Sequence, residues 1–274
     1  MREINLEEMK KIEINMLKYI DSICRKNNIK YSLIGGSLIG AVRHGGMIPW
    51  DDDIDIILNQ ENYKKLLYIL LNEKNPKYKC IYYTKYKKSY YPFIKIVDTR
   101  TIMKENNLKY IDDYGVFIDI FEYNNIPNGK KGQDKFYKRQ KRYRNLMSSY
   151  SYEPNKSKKS LKQIFKIILK PYTNMIGIYK IVDKYNKEQE KYKNTNYIMS
   201  NWVSYSEERE IQESKNFNEF IDINFDGIKA MITKNYDEIL KTTFGDYMKL
   251  PPKEKQVTHH NYKVFLKDEK YEGD

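Results

Sequence analysis

The densest chemistry in the chain lies in Pro49-Trp50-Asp51-Asp52-Asp53-Ile54-Asp55-Ile56-Ile57-Leu58, where four carboxylates crowd a single short run. The alternation from Asp53 to Leu58 is that of a β-strand, so Asp53 and Asp55 project to one face while Ile54 and Ile56 enter the core. Two carboxylates side by side repel each other. A hard divalent cation relieves that repulsion, and carboxylate and phosphate oxygens are the ordinary ligands of Mg²⁺. Asp53 and Asp55, with Asp51 beside them, are candidate ligands for one Mg²⁺ or a pair, with Mn²⁺ as a substitute. The plainer alternative is a solvated acidic turn capping the next helix. An EF-hand is excluded, because Ile56 stands where its loop needs glycine and Asn62 where it needs glutamate. Upstream, Gly35-Gly36-Ser37 opens a small-residue segment able to start a helix with free amides. It lacks the Gly-Lys-Ser/Thr ending of a P-loop, and Ile39 replaces the glycine of a hydrolase elbow.

A Gly-Ser turn at a helix start, followed by a strand bearing Asp-x-Asp, resembles the polymerase-β type of nucleotidyltransferase core. There the helix-start amides and a serine hold phosphates and the carboxylates hold Mg²⁺. The contiguous run from Gly35 through Arg43-His44-Gly45-Gly46 and Trp50 to Ile56 further resembles the signature of the LicD family of phosphocholine transferases. Gly115-Val116-Phe117-Ile118-Asp119-Ile120-Phe121 is similar to that family's second block. Tyr247-Met248-Lys249-Leu250-Pro251-Pro252, with His259-His260, is similar to its closing block. The resemblance implies Mg²⁺-dependent transfer of phosphocholine, or a related phospho-substituent, from a CDP-activated donor to a hydroxyl. The acceptor would be a cell-surface glycan or its lipid-linked precursor, of teichoic acid, lipopolysaccharide or capsule type. Three departures stand out: Glu122-Tyr123-Asn124 replaces the usual Pro-Leu-Asp, the strand near Ala230-Met231-Ile232 lacks a proline, and Gln256-Val257 stands near where arginine is common. None touches Asp53, Asp55 or Asp119.

On this resemblance Gly36 and Ser37 hold donor phosphates, and Arg43 and His44 are placed to face them. A structural salt bridge from Arg43 to the aspartates is the alternative. Trp50 offers an aromatic face to a quaternary ammonium group. A site of the polymerase-β type needs a third carboxylate, and Asp119 is the candidate because it alone lies inside an apolar strand, between Ile118 and Ile120. The competing role for Asp119 is a buried salt bridge with Arg43 or a lysine, and Asp98 is next in line should the Asp119 carboxylate point away from those of Asp53 and Asp55. Asp112 and Asp113 read as a turn. The same residues would serve a nucleotidyltransferase attaching NMP to a small molecule or RNA.

The elements that must position these groups follow from periodicity. Met9, Ile12, Met16, Ile20 and Ile23 mark an amphipathic helix from Leu6 that ends near Asn27-Asn28. Strands are expected at Lys30–Ile34, Asp53–Leu58, Tyr78–Tyr83, Phe93–Val97 and Val116–Phe121, with a helix through Tyr63, Leu66, Leu67 and Leu70. This makes an α/β (α+β) unit around a mixed sheet of about five strands, assigned to residues 1–127. Residues 128–274 read as a mainly helical, basic half packed on that core. Leu161, Ile164, Phe165 and Ile168 line one side of a helix whose other side carries Lys158, Lys159, Lys162, Lys166 and Lys170. Such a helix can lie on an anionic membrane, although an apolar face on the protein core is the ordinary expectation. Phe220–Phe225 and Ile228–Ile232 around Asp226-Gly227 read as a hairpin, and a last helix, Tyr236–Phe244, should stop at Gly245.

Composition bounds the partners. The chain has 274 residues and a formal charge of +13, so its surface attracts phosphates, nucleic acid or anionic lipid. A purely nucleic-acid-binding protein leaves the aspartates without a purpose, since acidic strands repel a phosphate backbone. Two cysteines, Cys24 and Cys80, make no disulfide framework, and no apolar run reaches the ~18 residues of a membrane span. With no apolar leader visible, a cytoplasmic location is expected, peripheral at the inner face of a membrane. The adjacent His259 and His260 would point to opposite faces of a strand, which argues for packing or substrate contact rather than zinc.

Overall fold

The computed structural model describes residues 1–111, 113–154, 160–202, 207–258 and 262–267. After the short strand β1 (Arg2–Glu3), Asn5 fixes the start of helix α1 (Leu6–Lys26): its side chain accepts the Glu8 amide while the Glu8 carboxylate accepts the Asn5 amide. The helix buries Met9, Ile12, Met16, Ile20 and Ile23, the stripe expected from their spacing, and also Leu17. There follow β2 (Ser32–Leu33), α2 (Gly35–His44), β3 (Ile54–Asn59), α3 (Gln60–Asn72), β4 (Tyr78–Ile81), β5 (Ile94–Asp98), β6 (Thr101–Glu105) and β7 (Phe117–Ile126). The later chain forms α4 (Lys130–Ser151), α5 (Leu161–Ile176), α6 (Ile178–Gln189), β8 (Tyr197–Ser200), α7 (Glu207–Glu210), β9 (Gln212–Glu213), β10 (Phe220–Phe225), β11 (Ile228–Thr233), α8 (Tyr236–Phe244) and β12 (Tyr262–Leu266).

The main sheet runs β2-β3-β7-β5-β4, the five strands expected, and is extended by β8 and β9 along the far half of β7. It is mixed: β3 and β7 are parallel, and their neighbours run antiparallel. Helices α1 and α3 pack against its strands. Register sets the chemistry, because Asp55 of β3 pairs with Asp119 of β7, which pairs in turn with Lys95 of β5. Three charged side chains therefore form one row across the middle of the sheet.

Hairpin β10–β11 turns on Asp226 and Gly227, both at positive φ (48° and 83°), the conformation its Asp-Gly sequence favours. It docks on β2 through the Thr233 amide, which donates to Ser32 Oγ, and the Met231 amide, which donates to Tyr31 Oη. A second sheet, β1-β12-β6, was not foreseen. Strand β5 ends at Asp98, close to the expected end, and the chain folds back through a turn in which the Arg100 amide and guanidinium both donate to the Asp98 carboxylate. The next strand, β6, then pairs with β12, a partner no local pattern reveals.

The clearest correction concerns α5. Its apolar face does not pack on the core, and Thr173 is its one buried residue. Lys166 and Lys170 turn inward instead, while Lys162 is exposed. Lys170 Nζ donates to the Tyr152 carbonyl at 2.6 Å and pairs with Glu153 at 2.8 Å, while Lys166 lies over the Tyr152 ring. Lys158, Lys159, Asp112, His259 and His260 lie outside the described residues. Among the described residues no helix is long and apolar enough to cross a membrane.

Candidate active site

Gly35 turns the chain from β2 into α2 at a φ of 61°, a left-handed value glycine adopts without strain. Gly36 is dictated by space: a Cβ there would meet Asp51 Oδ2 at 2.3 Å, so the helix start lies directly against that carboxylate. The Asp55 amide donates to Ser37 Oγ at 2.8 Å and the Ile34 amide to the Asp55 carbonyl at 3.1 Å, stitching the helix to β3. No side chain caps α2, and Gly35 and Gly36 line a cleft of ≈ 810 Å³ together with Asp51, Asp53 and Asp55. Ser37 itself is buried beneath that cleft and does not line it.

The loop between α2 and β3 is held from several sides. Gly40 gives it room, since a Cβ there would strike the Gly46 carbonyl at 2.4 Å. The Met47 amide donates to Asp226 Oδ2 at 2.7 Å, and the Gly45 carbonyl accepts the Asp226 amide at 2.9 Å. Lys10 Nζ donates to the carbonyls of Ile48 and Pro49, and Tyr262 Oη to that of Asp52. Asp226, Lys10 and Tyr262 thus grip the backbone of the loop that carries the carboxylates.

One oxygen each from Asp51, Asp52 and Asp53 lies within 4.8 Å of the others. Asp52 is buried, whereas Asp51 and Asp53 open to the cleft. Asp55 Oδ1 is buried with no hydrogen-bond partner among the described residues. Burial, then repulsion from Asp53 and Asp119, pushes the Asp55 carboxyl well above the usual carboxylate range, with Lys95 opposing. Glu13 of α1 is a further carboxyl beneath the cluster, raised by burial and then by Asp53, Asp52 and Asp51, with Oε2 also unpartnered. So much like charge behind one surface calls for a cation. An all-oxygen donor set with an orphaned carboxylate oxygen fits Mg²⁺ or Mn²⁺.

Asp119 is mostly buried and stands in register beside Asp55. Lys95 Nζ donates to both its oxygens, at 2.6 and 2.9 Å, so the lysine partner weighed for Asp119 is present. That ammonium lies 3.4 Å from the ring centre of Phe117 and 4.4 Å from that of Tyr91, with Phe93 and Tyr114 further out. Aromatic faces and one carboxylate make a buried lysine tolerable here. Asp119 does not itself line the cleft, and Asp98 is committed to Arg100.

Arg43 makes no salt bridge with the aspartates. Its Nη1 donates to the Tyr247 carbonyl at 2.7 Å and its Nε to His44 Nε2 at 2.9 Å, joining α2 to the 247–252 segment that walls the cleft. Burial, and then Arg43 and Lys10, push the His44 imidazole down, so it is neutral at physiological pH. Its ring stands edge-on to Trp50, with centroids 6.1 Å apart. Trp50 lines the cleft together with Phe121, Tyr123, Trp202 and Phe244, aromatic residues to which the sequence assigned no role in the site. Lys95 did leave a signal: it interrupts the apolar strand Ile94–Val97 as Asp119 interrupts its own.

Comparison with known proteins gives the chain's relatives. The family model described as LicD/FKTN/FKRP, nucleotidyltransferase domain, matches residues 28–150, which hold α2, the aspartates, Lys95 and Asp119. The lipopolysaccharide cholinephosphotransferase LicD of Haemophilus influenzae is 30% identical over 272 residues, spanning 97% of this chain and 100% of that protein. The ribitol 5-phosphate transferase FKRP of Homo sapiens is 46% identical over 39 residues, 14% of this chain and 8% of that protein. An uncharacterized protein of Rickettsia prowazekii is 41% identical over 76 residues, 27% of each chain.

Proposed function

This chain belongs to the LicD family and is a phosphotransferase enzyme, and from that premise we propose that it moves phosphocholine from a CDP-activated donor to a glycan hydroxyl. The observation that carries this reading is Asp55, which lines with Asp51 and Asp53 a cleft beginning at the start of α2 and whose buried Oδ1 has no hydrogen-bond partner among the described residues. In this reading β3, β7 and α2 are a nucleotidyltransferase-like core, and Asp53 and Asp55, with Asp51 beside them, hold Mg²⁺. When bound, the ion would neutralise the donor diphosphate.

The chain's own residues do the rest. Gly35 and Gly36 present the start of α2 to phosphate oxygens, and Ser37 keeps Asp55 at its height by holding its amide. Arg43 and His44 fix the 247–252 wall and lie on the donor side. Trp50, with Tyr123 and Trp202 across the cleft, offers aromatic faces to the quaternary ammonium. Asp119 completes the carboxylate set, its charge balanced by Lys95. The acceptor oxygen attacks the phosphorus of the transferred group in line, the bond to CMP breaks, and the hydroxyl proton passes to a carboxylate of the cluster. The acceptor is a lipopolysaccharide-type or related surface glycan, met on its lipid carrier at the cytoplasmic face of a membrane.

The test is to incubate the protein with Mg²⁺, CDP-choline and candidate glycans. Release of CMP with choline appearing on the glycan is expected. Pyrophosphate release from a nucleoside triphosphate, without CMP from CDP-choline, would transfer the assignment to nucleotidyl transfer.

A further inference from the structure

Helix α5 is built inside out. Its capping box, Ser160 with Gln163, and its apolar repeat are those of a well-formed amphipathic helix, yet the apolar residues are the ones in water. Leu161 is 85% exposed, Ile168 68%, Met175 78% and Phe165 53%, with Ile164 and Tyr172 on the same face. Their spacing of three, four and seven places them in one stripe along the whole helix. Scattered exposed apolar residues need no explanation, but a continuous stripe of this length is a surface waiting for a cover.

What covers it is indicated by the neighbouring helix. Lys138, Lys141 and Arg142 of α4 are exposed and line, with Phe165, Leu169 and Tyr172, a groove of ≈ 580 Å³ between the two helices. A ridge of apolar side chains beside a ridge of cations complements an anionic bilayer, with acyl chains for the first and phosphate head groups for the second. A second copy of the chain fits worse, because symmetric pairing would bring the two basic ridges together on molecules already carrying +13.

We propose that α5 is a membrane-docking helix, lying in the plane of an anionic bilayer with Leu161, Ile164, Phe165, Ile168, Tyr172 and Met175 inserted and the Lys138–Arg142 ridge on the head groups. The proposal goes beyond the catalytic reading and stands without it, since its test reads binding and not turnover. The full chain should cosediment with phosphatidylcholine vesicles containing phosphatidylglycerol, and the bound fraction should fall as salt rises. Phe165→Asp with Ile168→Asp should weaken that binding about tenfold or more. Lys138→Glu with Lys141→Glu and Arg142→Glu should weaken it as well. Both sets change exposed residues, so circular dichroism and thermal melting should match the parent. A Phe165→Trp chain, whose fold is least disturbed, should shift its emission to the blue on adding the anionic vesicles. Equal binding to vesicles without phosphatidylglycerol, unimpaired binding by the aspartate variant, or no blue shift would each overturn the proposal. So would light scattering that shows a dimer dissolved by Ile168→Asp in a chain that ignores vesicles.

Discussion

Two regions of this molecule invert the usual rule of burial, in opposite senses. At the start of β3, acidic groups sit beneath the surface, with Asp55 and Glu13 each keeping a buried oxygen that has no hydrogen-bond partner among the described residues. On α5, apolar groups stand in solvent while Lys166 and Lys170 fold back on the protein. The first arrangement gathers like charge where water is scarce, and the second sets apolar surface where water is plentiful. Helix α1, which buries its apolar stripe, keeps the rule that these two regions break.

The comparison can be broken first at the carboxylates. Asp55→Asn and Asp53→Asn should each reduce turnover by about a thousandfold or more, since a hard cation loses an anionic ligand. Asp55→Asn should at the same time unfold no earlier than the parent without metal, because a buried carboxyl among like charges has been removed. Near-normal turnover at saturating Mg²⁺ in a folded variant would end the metal reading.

A matched pair of helix substitutions sharpens the contrast. Leu17→Ala on α1 removes a fully buried side chain and should cost about 2–5 kcal/mol in denaturant unfolding. Ile168→Ala on α5 should change stability by no more than about 0.5 kcal/mol. Equal losses would mean that α5 is covered in solution.

The smallest and most conditional effect belongs to Glu122. Burial pushes its carboxyl from 4.5 up to about 7, with Oε1 unpartnered. The folded chain therefore holds a proton that the unfolded chain releases between those values, so stability is full below pH 4.5 and falls as pH rises through about 7. Glu122→Gln should match the parent at pH 4 and gain at pH 8, by on the order of 3 kcal/mol at most. Parallel stability curves across this range would show that the group stays charged.

Much of the site could be read directly because its determinants are local. The alternation around Asp53 and Asp55, the turn at Gly35, the Asp226-Gly227 hairpin and the stop of α8 at Gly245 each depend on residues a few positions apart. What escaped depends on distant partners. Nothing near Thr101–Glu105 announces β12, nothing near Glu13 announces the aspartates above it, and the stripe on α5 specifies a face without specifying what lies against it. Lys95 falls between these cases. Its intrusion into an apolar strand was visible, and its pairing with Asp119 required the register.

The struts that seat the aspartate loop have an order in time as well as in space. Asp226 reaches Met47 across 179 positions of chain, and Tyr262 reaches Asp52 across 210. A polypeptide emerging N-terminus first displays its four aspartates long before either strut has been made, whereas Lys10 is already there to hold Ile48 and Pro49. The helix start, strand and acidic loop are thus synthesised as loose parts, and the much later arrival of Asp226 and Tyr262 locks them into an instrument. A half-made chain holds every acidic residue of the centre, yet two of its fastenings are still to come.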